Sequence, residues 1–336
     1  MDIEKWSLRV GVTALACAIL FRLGSNGVLQ TVAQALATPQ SFAVMMFLET
    51  GRVVRPVPAQ TPPVTEPAVQ EQNVVEEKPP AVQAVFGEMD AQLVEVNSYC
   101  GIEPDVPTMI QKPLAWDLQQ DKPTVLIVHS HGSESYEKTE DYTESSAYRT
   151  LNTDYNMISI GKELQKILQS GGIRVIHDTT MHDQPSYSAS YSQSRKSIKA
   201  YLKEYPSICF VLDLHRDAVE NNKGKQVSFT AEYQGNTAAQ LMLVVGTDVN
   251  LSHPDWPENM SLAVKLHAQL ERDFPGICRP ISFRSQRFNQ DLSPGALLVE
   301  VGSAGNTRQE ALAAVRVLGQ AVLELSKGAA TTKSSP

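Results

Sequence analysis

From Pro123 onward, short apolar runs alternate with segments of helical length, and this alternation constrains the fold more than any other feature. TVLIV (Thr124–Val128), IRVI (Ile173–Ile176), SICFVLDL (Ser207–Leu214) and ALLVEVG (Ala296–Gly302) read as buried strands. VSFTAEY and LMLVVG read as two more. Between them, NMISIGKELQKILQS stops at Gly171–Gly172 as a helix does, SYSQSRKSIKAYLKEYP follows the second strand, and a helix covers about Glu258–Arg272. TRQEALAAVRVLGQAVLEL closes the pattern. Strands that alternate with helices predict an α/β fold: a mixed, mostly parallel sheet sandwiched by helices. Two successive strands near 226–246 are what makes the sheet mixed. No internal repeat is present.

The first third reads differently. Trp6 to Leu23 is mostly apolar and just long enough to span a bilayer, with Arg9 and Arg22 able to snorkel. Lys5 and Arg9, ahead of the continuous apolar run Val10–Phe21, keep the N-terminus cytoplasmic, so an uncleaved transmembrane anchor is expected, with a cleaved signal peptide as the alternative. Val28, Val32 and Leu36 suggest a second, weaker helix, and Ala43–Leu48 is too short to span. Arg55 to Pro80 is proline-rich and reads as an extended spacer. The rest is expected to work at a distance from the outer face of a membrane.

Net charge is −8 over 336 residues, which argues against nucleic acid as a partner. Four cysteines are too few for a disulfide scaffold. Cys17 lies in the anchor, Cys209 reads as a buried thiol, and a Cys100–Cys278 bridge is left open.

In sheets of this kind ligands bind beyond the carboxyl ends of the strands. Five of the seven histidines fall between 129 and 215, near such ends. VHSHGSE offers His129, His131 and Glu134, or else an ordinary polar turn. DLHRDA ends a strand on His215, with Asp213 and Asp217 each able to hold its second ring nitrogen. LLVEVG places Glu300 inside an apolar strand, where a carboxylate is costly unless paired or beside a metal. Together, two histidines and one carboxylate (His131, Glu134, His215) would hold zinc and leave a position open for water, with Glu300 as the base.

HDTTMHDQPSY, with His177, Asp178, His182 and Asp183, reads as a substrate rim, a supporting shell, a second metal site or a helix-capping loop. Asn289 and Gln290 in RFNQDLSPG are candidate hydrogen-bonders to an amide-rich ligand, or turn residues, and Arg216 is a further candidate for substrate. His253 and His267 read as structural or exposed. No G-x-S-x-G elbow, Walker A or dinucleotide fingerprint occurs.

HSHGSESY, HDTTMHDQPSYSASYSQSR, YPSICFVLDLHRDA, VVGTDVN with HPDWPENMSLA, and FNQDLSPGALLVEVGSAGNT together resemble the stage II sporulation protein P family over about residues 123–320. The resemblance implies a zinc amidase-like fold behind an N-terminal transmembrane helix. It implies hydrolysis of the N-acetylmuramoyl-L-alanine amide of peptidoglycan, with endopeptidase activity on cross-links, during septal thinning and engulfment. It also implies a cell-membrane location facing the septal space, with stage II sporulation proteins D and M as partners. By resemblance His131 and His215 are zinc ligands and Glu300 the catalytic glutamate. Glu134 is the third ligand, with Glu144 or Asp154 in its place, or His129 in place of His131, as alternatives. The expected layout is tip and anchor 1–24, juxtamembrane segment and linker 25–104, catalytic amidase domain 105–327, and a disordered tail 328–336.

Two other functions fit the same residues. A zinc carboxypeptidase-like peptidase needs an arginine clamp, for which Arg149, Arg216, Arg284 and Arg287 are candidates. A noncatalytic wall-binding scaffold has no need of a carboxylate in an apolar strand.

Overall fold

The computed structural model describes residues 86–330, apart from 115, 141 and 143–147. These residues fall within one unit, residues 76–336. The expected anchor, spacer, Cys17, Glu144 and most of the tail lie outside the described residues. Among the described residues no helix is long and apolar enough to cross a membrane.

Among the described residues nine strands form: β1 (Val96–Ser98), β2 (Val125–Val128), β3 (Val175–His177), β4 (Phe210–Asp217), β5 (Thr230–Tyr233), β6 (Asn236–Ala239), β7 (Leu241–Gly246), β8 (Ile281–Arg284) and β9 (Ala296–Ser303). The α-helices of the described residues are α1 (Glu88–Ala91), α2 (Val106–Gln111), α3 (Met157–Ser170), α4 (Ser190–Glu204), α5 (Trp256–Asp273) and α6 (Arg308–Ala330). Seven strands make one sheet in the order β1-β8-β7-β9-β4-β2-β3. Every neighbouring pair is parallel except β7–β9. The mixed, mostly parallel sheet is therefore present as expected. The strands at 226–246 divide differently: β5 and β6 form a separate antiparallel pair, and only β7 joins the main sheet.

The antiparallel β7–β9 junction has a positional consequence. It makes β9, β4, β2 and β3 a parallel block whose carboxyl ends share one edge. Side chains alternate between faces along each strand. Val125 and Ile127 of β2, Phe210, Leu212 and Leu214 of β4, and Leu297, Val299 and Val301 of β9 meet α3, α5 and α6 in the large core. Leu126, Val128, Val211 and Ala296 turn to the other face and meet Ile198 of α4 in a smaller core. The sheet is thus covered on both faces, unequally.

Two expectations need correction. The boundary at 104/105 cuts the folded unit, because β1 pairs with β8, Val96 opposite Ile281. Residues read as linker are therefore an edge strand. Cys209 is half-buried against the large core, and Cys100, Cys209 and Cys278 are free thiols, so the Cys100–Cys278 bridge is not formed.

Candidate active site

Strand parity gathers the site. Val211, Asp213 and His215 share one face of β4, and Ala296, Leu298 and Glu300 share the same face of β9. His215 stands opposite Glu300 in the parallel register. His131 and Glu134 reach the same place from the turn that leaves β2. One donor atom each from His131, Glu134 and His215 lie within 4.8 Å of one another.

Parity also sends His129 away. It continues the Val125–Ile127 face, and its ring lies under α3. His129 Nδ1–H donates to the Leu214 carbonyl at 3.2 Å, and its Nε2 accepts from His177 Nε2 at 2.8 Å. Burial, helped by the neighbouring His177, pushes the His129 imidazole down to about 3. Burial pushes His177 down to about 4. Both rings are neutral structural partners, and His129 does not join the His131 cluster. Asp154 is an exposed loop residue and does not join it either.

Glu134 is the electrostatic centre. It is 4% exposed, yet it faces several positive or donating groups. His131 Nδ1 lies 3.3 Å away, His215 Nδ1 3.7 Å, Arg149 Nη2 3.5 Å and Arg216 Nη1 3.6 Å. The Arg216 backbone N–H donates to Oε2 at 3.3 Å. Burial opposes ionisation, but the His131 hydrogen bond and the charges of Arg216 and His215 prevail and hold Glu134 at about 2.

The second nitrogens are also supported. Asp213 Oδ1 lies 2.9 Å from His215 Nε2, as an ion-pair contact. Asp213 also accepts from the Ser130 backbone N–H at 2.8 Å, which ties the strand to the first loop. Of the two expected supports for His215, Asp213 has the role. Asp217 pairs instead with Arg279 at 2.7 Å. Ser190 Oγ meets His131 Nε2 at 3.0 Å.

Glu300 is the mirror image of Glu134. Its Oε2 is buried without a hydrogen-bond partner. Burial, reinforced by repulsion from Glu134 and Asp217, raises its carboxyl to about 8. An orphaned carboxylate oxygen beside a His, Glu, His donor set fits a zinc site that keeps one position open.

The five residues expected to touch substrate are all interior, and this is a correction. His182 Nδ1–H donates to the His129 carbonyl at 3.0 Å, and its Nε2 accepts from Ser197 at 2.9 Å. Asp183 accepts from the Ser133 N–H at 3.2 Å and pairs with Arg149 at 3.2 Å. Arg216 Nε donates to the Ser135 carbonyl at 2.9 Å. Asn289 Nδ2 donates to the Tyr191 carbonyl at 2.9 Å. Gln290 accepts from Gly246 N–H and donates to the Val244 carbonyl, each at 2.8 Å. These side chains brace the loops that carry the cluster. They were read as candidate substrate contacts among other roles, but segments packed on one another satisfy their polar groups internally. His253 and His267 are buried, in the loop after β7 and in α5.

Tyr187 and Tyr191 were not singled out in the sequence. Tyr187 places its ring 4.4 Å from that of His131, and Tyr191 stacks 6.2 Å from His215. Their spacing of four residues at a helix start was the available signal, since such residues share a helix face.

A family model described as stage II sporulation protein P matches residues 57–323. Stage II sporulation protein P of Bacillus subtilis (strain 168) is 26% identical over 250 residues, covering 71% of this chain and 59% of that protein. The chain thus spans about 59% of the length of that curated relative. Among solved structures, the CwlD amidase from Clostridioides difficile, in complex with the GerS lipoprotein, is 12% identical, with a TM-score of 0.40, over 62% of this chain and 99% of its own. The N-acetylmuramyl-L-alanine amidase Ami1 from Mycobacterium smegmatis is also 12% identical, with a TM-score of 0.40, over 65% of this chain and 100% of its own. The family match covers well over half of the sequence and takes in every residue of the cluster, and the chain belongs to the stage II sporulation protein P family.

Proposed function

We propose that this chain is a zinc-dependent peptidoglycan hydrolase that cleaves the amide between N-acetylmuramic acid and the L-alanine of the stem peptide during sporulation. The observation that carries this reading is the pairing of a buried, partnerless Glu300 oxygen with the His131, Glu134 and His215 donor set beside it. Membership of a sporulation family supports the context. Septal thinning and engulfment, endopeptidase activity on cross-links, anchorage by residues 1–24, a location facing the septal space, and sporulation proteins D and M as partners belong to the same proposal.

His131, Glu134 and His215 would hold the metal. Zinc supplies Lewis acidity there, which acidifies water and polarises a carbonyl. Glu300 Oε2 takes a proton from the attacking water as the C–O bond forms. It then delivers that proton to the alanine nitrogen as the C–N bond breaks. The products are a muramoyl carboxylate and a free amino terminus. Burial makes Glu300 a stronger base than an exposed glutamate. Arg216 keeps Glu134 ionised, and Asp213 orients His215.

The test uses the full chain on purified sacculi, with released fragments identified by mass spectrometry. New L-alanine amino termini are expected with wild type. They should fall by at least ~10²-fold with Glu300→Gln, while bound zinc and the circular dichroism spectrum persist. Full activity in Glu300→Gln would sink the mechanism. Release of C-terminal residues alone, from free stem peptides, would point to the carboxypeptidase-like reading. Of the four arginines named for that clamp, Arg149 and Arg216 both stand at the site beside Glu134, and Asp183 also pairs with Arg149.

A further inference from the structure

Tyr187 is left unused by the mechanism above, and its position is specific. It lies on the turn that leads into α4, and 53% of its surface is exposed. Its Oη lies 3.3 Å from His131 Nδ1, the same atom that lies 3.3 Å from Glu134 Oε1. His131 Nδ1 thus stands between Glu134 Oε1 and Tyr187 Oη, at 3.3 Å from each. The phenol therefore lies beside the residues that would hold a cation, His131, Glu134 and His215. The ring cannot readily drift. The Arg149 guanidinium carbon sits 4.3 Å from its centroid, and the His131 ring packs against it 4.4 Å away. Arg149 is itself fixed by Asp183 at 3.2 Å. The result is a held, solvent-reaching hydroxyl next to the ligand set.

We propose that Tyr187 is a further catalytic residue, whose hydroxyl donates a hydrogen bond to the carbonyl oxygen of the scissile amide as negative charge develops on it. The proposal rests on the amide-hydrolase reading. The phenol keeps its proton throughout. Water's proton goes to Glu300 and then to the leaving nitrogen, and the electron pair of the broken C–N bond leaves with that nitrogen. A donor aimed at developing charge strengthens its bond in the transition state, and so acts on kcat more than on KM.

The test is Tyr187→Phe in the full chain, which keeps the ring and its contacts with Arg149 and His131 and removes the hydroxyl. On a synthetic muramoyl-L-alanyl peptide, kcat is expected to fall about 10²-fold with KM changed by less than about twofold. A phosphinate analogue of the amide, titrated calorimetrically, should lose affinity by the same factor. Zinc affinity, measured by competition with a chromogenic chelator, should stay within about threefold, because the phenol is a neighbour of the ligands and not one of them. Unchanged kcat and phosphinate affinity would overturn the role. So would a tenfold or larger loss of zinc affinity (about 1.4 kcal/mol), which would make Tyr187 a ligand. Glu300→Gln is run alongside. If that variant stays active, the hydrolase mechanism fails and takes this role with it. If it is inactive while Tyr187→Phe is fully active, only the role of Tyr187 falls.

Discussion

His215 and Glu300 stand opposite each other in register on two neighbouring parallel strands, and both project from the face covered by α4. Their carboxyl-terminal position brings them to the edge where the turn after β2 delivers His131 and Glu134. A histidine and a glutamate about 85 residues apart in sequence thereby become nearest neighbours across one ladder.

If this cluster binds metal, its members should be separable by stoichiometry. His131→Ala, Glu134→Ala and His215→Ala should each lose bound zinc in dialysed protein. His129→Gln should keep one equivalent, because His129 faces α3 and bonds to His177 and Leu214. Atomic absorption on the folded fraction checks this. Zinc loss in His129→Gln with retention in His131→Ala would reverse the assignment.

Asp213→Asn should weaken zinc binding without abolishing it. The substitution removes the charge 2.9 Å from His215 Nε2, and such support is worth about 10–100-fold in metal affinity. Chelator competition gives the number. An affinity equal to wild type would show that the Asp213 contact does not tune His215.

Gly161→Ala should destabilise the fold. A Cβ at Gly161 would lie 2.5 Å from His177 Nε2 and 2.6 Å from His129 Nε2, inside contact distance of a pair that is itself packed and hydrogen-bonded. Overpacking of this kind costs ~1–3 kcal/mol. Helix propensity alone would instead favour alanine by up to ~1 kcal/mol. A lower denaturation midpoint is therefore expected, and a raised one would mean that the two rings move aside without penalty.

The metal-free chain should lose stability between pH 6.5 and 4. His177 is held near 4 in the fold by burial, against an unfolded value near 6.5. Across that interval the unfolded chain binds the proton and the folded chain does not, so stability rises with pH. His177→Gln should reduce the slope by about one proton, or about 1.4 kcal/mol per pH unit. Urea midpoints at stepped pH measure it, and an unchanged slope would show that His177 is already protonated in the fold.

Much of the fold was legible because its central strands are unusually plain. β2 and β9 are almost continuously apolar, as strands covered on both faces must be, and the amphipathic helices between them announced themselves by period. β1 and β8 escaped notice, because three or four residues such as VNS or ISFR are too short to show a period. The site divided the same way. Glu300 was legible because a carboxylate in an apolar strand demands a reason. His182, Asp183, Asn289 and Gln290 were misread as substrate-facing, because composition cannot show which side of a loop packs inward.

The sequence by itself determined the strand–helix alternation, the interrupted strands and the residue types a metal site requires. It could not choose between His129 and His131, since both follow β2 within three residues. Tertiary structure decided that by parity: the face alternates at each residue along an extended strand, so His129 goes beneath α3, and the turn that follows carries His131 to His215. It also decided that Arg149 belongs beside Glu134 and Tyr187 beside Arg149 and His131, contacts between the segments that follow β2 and β3.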